Sequence, residues 1–311
     1  MIGPHLAPDL LQRFARGAGS KAENLQILRH LSAGCTECRA TLADIADLRQ
    51  TTVEAPADLD LTAVNRIVRQ VRERESELWR ERADAAANME ELLRHSPDQR
   101  ATLVRNLERF QTWGCCELLV SESYSRRFGN AEDGVTLAEL AVLAADGLDG
   151  GHYGETLVTD MRGLAYAHLA NARRVASDLL GAEAALSQAA ALLQQGTGDP
   201  LHQARLFEMT TNLRSGQRRF PEALRASARA AAQYALLADR HKIGAVLLDR
   251  AAVLARMGNH EQSQTLLHQS LELFDPQRDP RLPLMAKANL AHCLTMAGHC
   301  AEAEQMLFGL H

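Results

Sequence analysis

Three short breaks recur in the second half of this chain at nearly constant spacing. Arg214-Ser215-Gly216-Gln217, Arg256-Met257-Gly258-Asn259 and Met296-Ala297-Gly298-His299 place their glycines 42 and 40 residues apart. Ala- and Leu-rich stretches of helical periodicity run between them. A period of this length is the signature of stacked helix pairs, because one pair cannot bury its own apolar face and the next pair covers it. Composition agrees: 46% of residues are hydrophobic but only 4% are aromatic. A core of Ala and Leu suits closely stacked helices better than a β-sandwich. The expected fold is all-α, with an α-solenoid over residues 131–311. A linker and long connecting helices are expected over 51–130, and a separate small module over 1–50.

Local signals place the elements. Pro8 and Asp9 suit a first helical turn ahead of Leu10, Leu11 and Phe14. Gly17-Ala18-Gly19 stops that helix. Ser20-Lys21-Ala22-Glu23 reads as a capping box for the next, which carries Leu25, Ile27, Leu28 and Leu31. Gly34 is placed to close it, and a third helix begins near Cys35. Thr51 to Asp58, with Pro56 inside, reads as a linker. A long helix is expected from about Leu59 to Arg94, with interleaved Arg and Glu marking a solvated face. Ser96-Pro97-Asp98-Gln99 starts another, predicted to run on through Leu103, Val104, Leu107, Phe110 and Trp113. The pairs Asp199-Pro200, Asp275-Pro276 and Asp279-Pro280 are expected to end units, since proline cannot continue a helix.

Within the first module, His30, Cys35 and Cys38 have the pattern of a metal clamp, and His5 is in place to complete four ligands. Zinc takes four N or S donors in a tetrahedron, and a set made wholly of protein groups marks a structural site. Thiolate is favoured where Cys35 and Cys38 open a helix, at the positive end of its dipole. Three short helices bury little area and need a staple. In comparable peptides structural zinc supplies on the order of 10–16 kcal/mol of apparent binding energy. A disulfide between Cys35 and Cys38 would restrain little else, which disfavours a redox switch. Cys115, Cys116, Cys293 and Cys300 are expected to be small packing residues, and His292 and His299 beside the last two match no common zinc spacing.

Two resemblances follow from these residues. The repeats resemble tetratricopeptide repeats through Phe220-Pro221-Glu222-Ala223-Leu224 with Ala230, Ala301-Glu302-Ala303 with Leu307, and Ala182, Leu186 and Ala189. In the unit around Gly258, Leu247, Ala251 and Leu254 fit the first helix, and Ser263 stands where an Ala is expected. The amino-terminal module resembles the zinc-binding anti-sigma factor domain, a family of bacterial regulators. That resemblance implies one structural zinc on His5, His30, Cys35 and Cys38, and a sigma factor as partner. The chain departs from the family's spacing in having four residues, not three, between His30 and Cys35. Bacterial chains joining such a module to helical repeats are also similar around Phe110-Gln111-Thr112-Trp113-Gly114 and Leu169-Ala170-Asn171-Ala172-Arg173-Arg174.

The net charge of −5 argues against direct nucleic-acid binding. No run approaches a membrane span, and the amino terminus lacks a secretory signal, so a cytoplasmic chain is expected. No P-loop, nucleotide-binding glycine turn or nucleophile elbow is present, so no enzyme is expected. The expectation is a regulatory or adaptor protein acting by protein binding. Its zinc module would meet a sigma factor through apolar residues such as Leu11, Phe14, Leu28 and Leu31, and its repeats would offer a groove to a second protein or peptide. The alternative is a scaffold of another pathway whose zinc is purely structural.

Overall fold

The computed structural model describes residues 5–15, 20–32, 35–50, 61–127 and 129–308. Among them every regular element is helical. The expected stop at 17–19, the bend at Gly34 and the linker at 51–58 lie outside the described residues. The chain divides into two compact units, residues 1–69 with 277–279, and residues 70–276 with 280–311.

The first unit holds α1 (Pro8–Ala15), α2 (Lys21–Ser32) and α3 (Thr36–Gln50), each touching the other two. The capping box forms as read. The Glu23 carboxylate accepts from the Ser20 N–H at 2.8 Å, and the Ser20 hydroxyl accepts from the Glu23 N–H at 3.3 Å. Arg13 on α1 donates to the same carboxylate at 2.6 Å, which ties α1 to the start of α2. Leu11, Ile27, Cys35 and Cys38 form a small core, with Leu6, Leu10, Phe14, Leu31 and Ile45 against it. Leu11 is 1% exposed, whereas Leu28 is 52% exposed. Leu11 is therefore spent on the core and withdrawn from the set of free contact residues.

The long helix α4 (Leu61–Leu93) appears near its expected limits. The next expected helix is instead broken. α5 (Pro97–Asn106) ends at an extended Leu107, a single 3-10 turn covers Glu108–Phe110, and α6 (Trp113–Arg126) starts afresh. Gln111 explains the break: its side-chain amide donates at 2.9 Å to the carbonyls of both Val104 and Arg105, which α5 leaves unpaired. Thr112 then caps α6, its hydroxyl accepting from the Cys115 N–H at 3.3 Å.

After α7 (Ala131–Asp146) and the short α8 (Gly150–Tyr153), four helix pairs follow. They are α9 (Glu155–Val175) with α10 (Leu179–Gln195), α11 (Pro200–Gly216) with α12 (Phe220–Leu236), α13 (Arg240–Arg256) with α14 (His260–Leu273), and α15 (Arg281–Met296) with α16 (Cys300–Phe308). The turn inside each pair holds one left-handed residue: Ser177, Arg218, Gly258 and Gly298. These positions are spaced at 41, 40 and 40 residues, a tighter period than the glycines show. Gly216 belongs to the end of α11, and Arg218 does the turning. The first turn, at Ser177, has no glycine to announce it.

The Asp-Pro pairs also work differently from expectation at one site. Asp199 caps α11, accepting from the Leu201 N–H at 2.8 Å, and Pro200 is its first residue. The pair opens a unit, since a proline needs no N–H partner in a first turn. The small residues of the repeat pattern are buried as read: Ala182, Ala189, Ala223, Ala230 and Ala251 are all fully enclosed. Ser263 is buried where an Ala was expected and donates to the Ala251 carbonyl at 2.9 Å, so its hydroxyl is satisfied. A continuous apolar core runs from Met89 on α4 to Leu213 on α11.

Candidate metal centre

Cys35 is the residue immediately before α3, and Cys38 lies in that helix's first turn. The Cys38 N–H points at the Cys35 sulfur at 3.5 Å, so the thiol takes the place of an N-capping oxygen. This contact is the main reason the Cys35 thiol sits below the ordinary thiol value. Burial pushes Cys38 up, although the Leu6 N–H donates to its sulfur at 3.4 Å. Both thiols are 2% exposed, and neither is in a disulfide.

His5 reaches this pair from the segment before α1. Its Nδ1 lies 3.3 Å from the Cys35 sulfur and 3.7 Å from the Cys38 sulfur. Its Nε2 lies 2.7 Å from a Glu37 carboxylate oxygen. A proton on Nε2 donated to Glu37 leaves Nδ1 bare toward the sulfurs, the arrangement by which an outer carboxylate fixes the tautomer of a ligating imidazole. His30, near the end of α2, brings its ring within 6.4 Å of the His5 ring, nearly perpendicular. Its Nε2 is buried without a hydrogen-bond partner. Burial, then His5, lowers the His30 pKa, so the neutral, ligating form prevails.

All four donor atoms fall within 4.8 Å of one another. Bond lengths for tetrahedral zinc imply donor separations of about 3.3–3.8 Å. The two measured His5–sulfur distances sit in that window, and a contraction of about an ångström closes the widest separation permitted here. The four residues expected at this centre are thus brought together, and their donor chemistry and the orphaned His30 nitrogen fit a cation. Glu37 was not read from the sequence. Lying between the two cysteines in a first helical turn, it passes for an ordinary complement to the helix dipole.

Three of the other four cysteines are buried as expected for packing residues, and Cys300 is not. Cys115 and Cys116 are buried on α6, and Cys293 is buried with its thiol 3.4 Å from the Ser263 hydroxyl. Cys300 is exposed on α16. Among the described residues the His5 group is the one His/Cys cluster with metal-binding geometry. No described helix is long and apolar enough to cross a membrane.

The family described as Tetratricopeptide repeat matches residues 242–307, which span α13 to α16. No curated protein matches the chain in sequence. Among solved structures, BtubC (BKLC) from P. vanneervenii is similar over 74% of this chain and 87% of its own, at 16% identity and a TM-score of 0.50. The Signal Transduction ATPase with Numerous Domains protein with a tetratricopeptide repeat sensor, from Pyrococcus horikoshii, aligns over 96% of this chain and 42% of its own. Its identity is 16% and its TM-score 0.49. The family match covers α13 to α16, and α9 to α12 share the same paired-helix arrangement and buried small residues, so the fold of this region is one of stacked, tetratricopeptide-like helix pairs.

Proposed function

We propose that this protein is a regulatory adaptor that works by reversible protein binding, with a zinc-stapled head and a repeat array as its two binding parts. The match of residues 242–307 to the tetratricopeptide repeat carries the binding role, because stacked helix pairs offer extended surfaces to peptides and helices. In the head, His5, His30, Cys35 and Cys38 would hold one zinc, and Glu37 would orient His5. A bound zinc supplies no chemistry on a substrate here, since all four positions are protein groups. The reducing conditions of a cytoplasm keep both sulfurs available.

The resemblance of the head to anti-sigma domains favours a sigma factor as its partner. The apolar residues left for that contact are the exposed Leu28 and the half-buried Phe14 and Leu31. The alternative is a scaffold of another pathway, in which the zinc only holds the head together.

Metal content of the purified full chain tests the head. One zinc per chain, lost in the Cys35→Ser, Cys38→Ser double variant, is expected, and equal metal in both proteins rejects the centre. Cross-linking of the tagged full chain to partners in native extract tests the binding role. Partners cross-linked within residues 131–311 are expected, and a sigma factor cross-linked within residues 1–50 would select the regulator over the scaffold.

A further inference from the structure

A cleft of about 620 Å³ opens between four helices of the second unit. α7 packs on α5 and on α9, and α10 packs on α9. Ala101, Leu140, Leu143, Leu169 and Ala185 give the cleft an apolar floor. Leu140, Leu169 and Ala185 are buried, and Leu143 is half-buried. A volume of this size suits a small molecule, and such sites join an apolar lining to a few placed polar groups.

Two polar groups stand at one end of the cleft, where α7 terminates. Tyr166 lies one turn along α9 from Arg162, which donates to the Ala145 and Asp146 carbonyls at 3.2 and 3.0 Å. Arg105 lies in the last turn of α5, and the Gln111 side chain that meets its carbonyl rests against Gly147, the C-cap of α7. Among the described residues neither the Arg105 guanidinium nor the Tyr166 hydroxyl has a hydrogen-bond or ion-pair partner. Burial, then Asp146, raises the Tyr166 pKa, so the phenol keeps its proton as a donor. A basic residue in a last helical turn ordinarily offsets the helix dipole. Here the Gln111 amide already meets the Val104 and Arg105 carbonyls, both at 2.9 Å, which leaves the guanidinium for another acceptor. The other charges around the cleft are matched or distant. Glu139 pairs with Arg173 at 3.0 Å and Asp146 with Arg162 at 3.7 Å. Asp98 stands two turns before Arg105, about 10 Å away along α5.

We propose that this cleft binds a small amphipathic monocarboxylic acid, its carboxylate accepting from Arg105 and Tyr166 and its apolar chain lying over Leu140, Leu143 and Leu169. The guanidinium fork matches a carboxylate in two-point fashion. One spare cation suits one carboxylate and not a polyanion. The site is separate from the protein-binding reading above and stands or falls without it.

Isothermal titration of the full chain with octanoate, and with octan-1-ol as the same chain without a carboxylate, tests this. Saturable binding of one octanoate per chain is expected, about tenfold tighter than octanol. Arg105→Gln should weaken octanoate about tenfold and leave octanol unchanged, and the retained octanol binding shows that the variant is folded. Tyr166→Phe should weaken octanoate about threefold. Ala184→Phe, at an exposed position on the cleft wall, should block both ligands. No octanoate binding below about 1 mM overturns the site. Octanoate binding that ignores both Arg105→Gln and Ala184→Phe overturns its location. Octanol binding as tightly as octanoate overturns the carboxylate class.

Discussion

Single residues carry the chemistry of this chain, and two of them make sharp predictions. Glu37 fixes His5 through a 2.7 Å contact. Loss of such an outer carboxylate costs about 10–100-fold in metal affinity in comparable sites. Glu37→Gln should therefore lower zinc affinity by about tenfold or more, read by competition with a chromophoric chelator. Asp249 concerns pH. Burial, then Glu208, raises its pKa from 3.8 to about 7, against the opposing pull of Lys242 and Arg174. The folded state thus keeps a proton that the unfolded chain releases. Stability from this group is full below about pH 4 and falls away as pH rises to about 7. Asp249→Asn should raise the melting temperature of the array at pH 8 and leave it unchanged at pH 4. Thermal melts at both values check this, and an equal shift at the two rules it out.

At the scale of elements, close approach decides what the array begins with. A β-carbon on Gly114 would lie 2.5 Å from the backbone of Glu81, so α4 and α6 cross where only glycine fits. The Gly114 N–H donates to the Glu81 carboxylate at 3.3 Å, and the Tyr153 hydroxyl donates to it at 2.8 Å. Arg82 grips Glu117 through two hydrogen bonds, at 2.7 and 2.9 Å. Gly114→Ala should force α4 off α6 and destabilise the second unit by about 1–3 kcal/mol. A lower urea midpoint checks it, and an unchanged one shows that the crossing yields freely. The sequence marks Trp113-Gly114 only as a resemblance. The reason for the glycine is a helix more than thirty residues away.

The whole molecule consists of two units of very different size, which predicts two unfolding events. Chelation should remove the helical signal of the first unit and leave the transition of the repeat array where it was. Circular dichroism during a thermal melt, with and without chelator, separates the two. A single transition shifted by chelator shows instead that the units fold as one.

The sequence alone determined the helical class, the helix-pair period and the four residues that converge at the candidate metal centre. These are properties of pattern: Ala and Leu at helical spacing, turns about forty residues apart, and donors whose spacing fits a clamp. It also determined the capping box of Ser20 and Glu23, because a cap is made by residues three apart. The left-handed turns at Ser177 and at Arg218, in place of Gly216, are legible only in the structure, which closes them by local backbone bonds from the Asp178 N–H to the Arg173 carbonyl at 2.9 Å and from the Arg219 N–H to the Arg214 carbonyl at 2.8 Å. Tertiary contacts decided the rest. The break at Leu107 follows from the Gln111 amide folding back onto α5. Glu37, and the cleft beside Arg105 and Tyr166, become visible only when side chains from separate helices are set within reach of one another, and no spacing rule along a chain encodes a contact between distant helices.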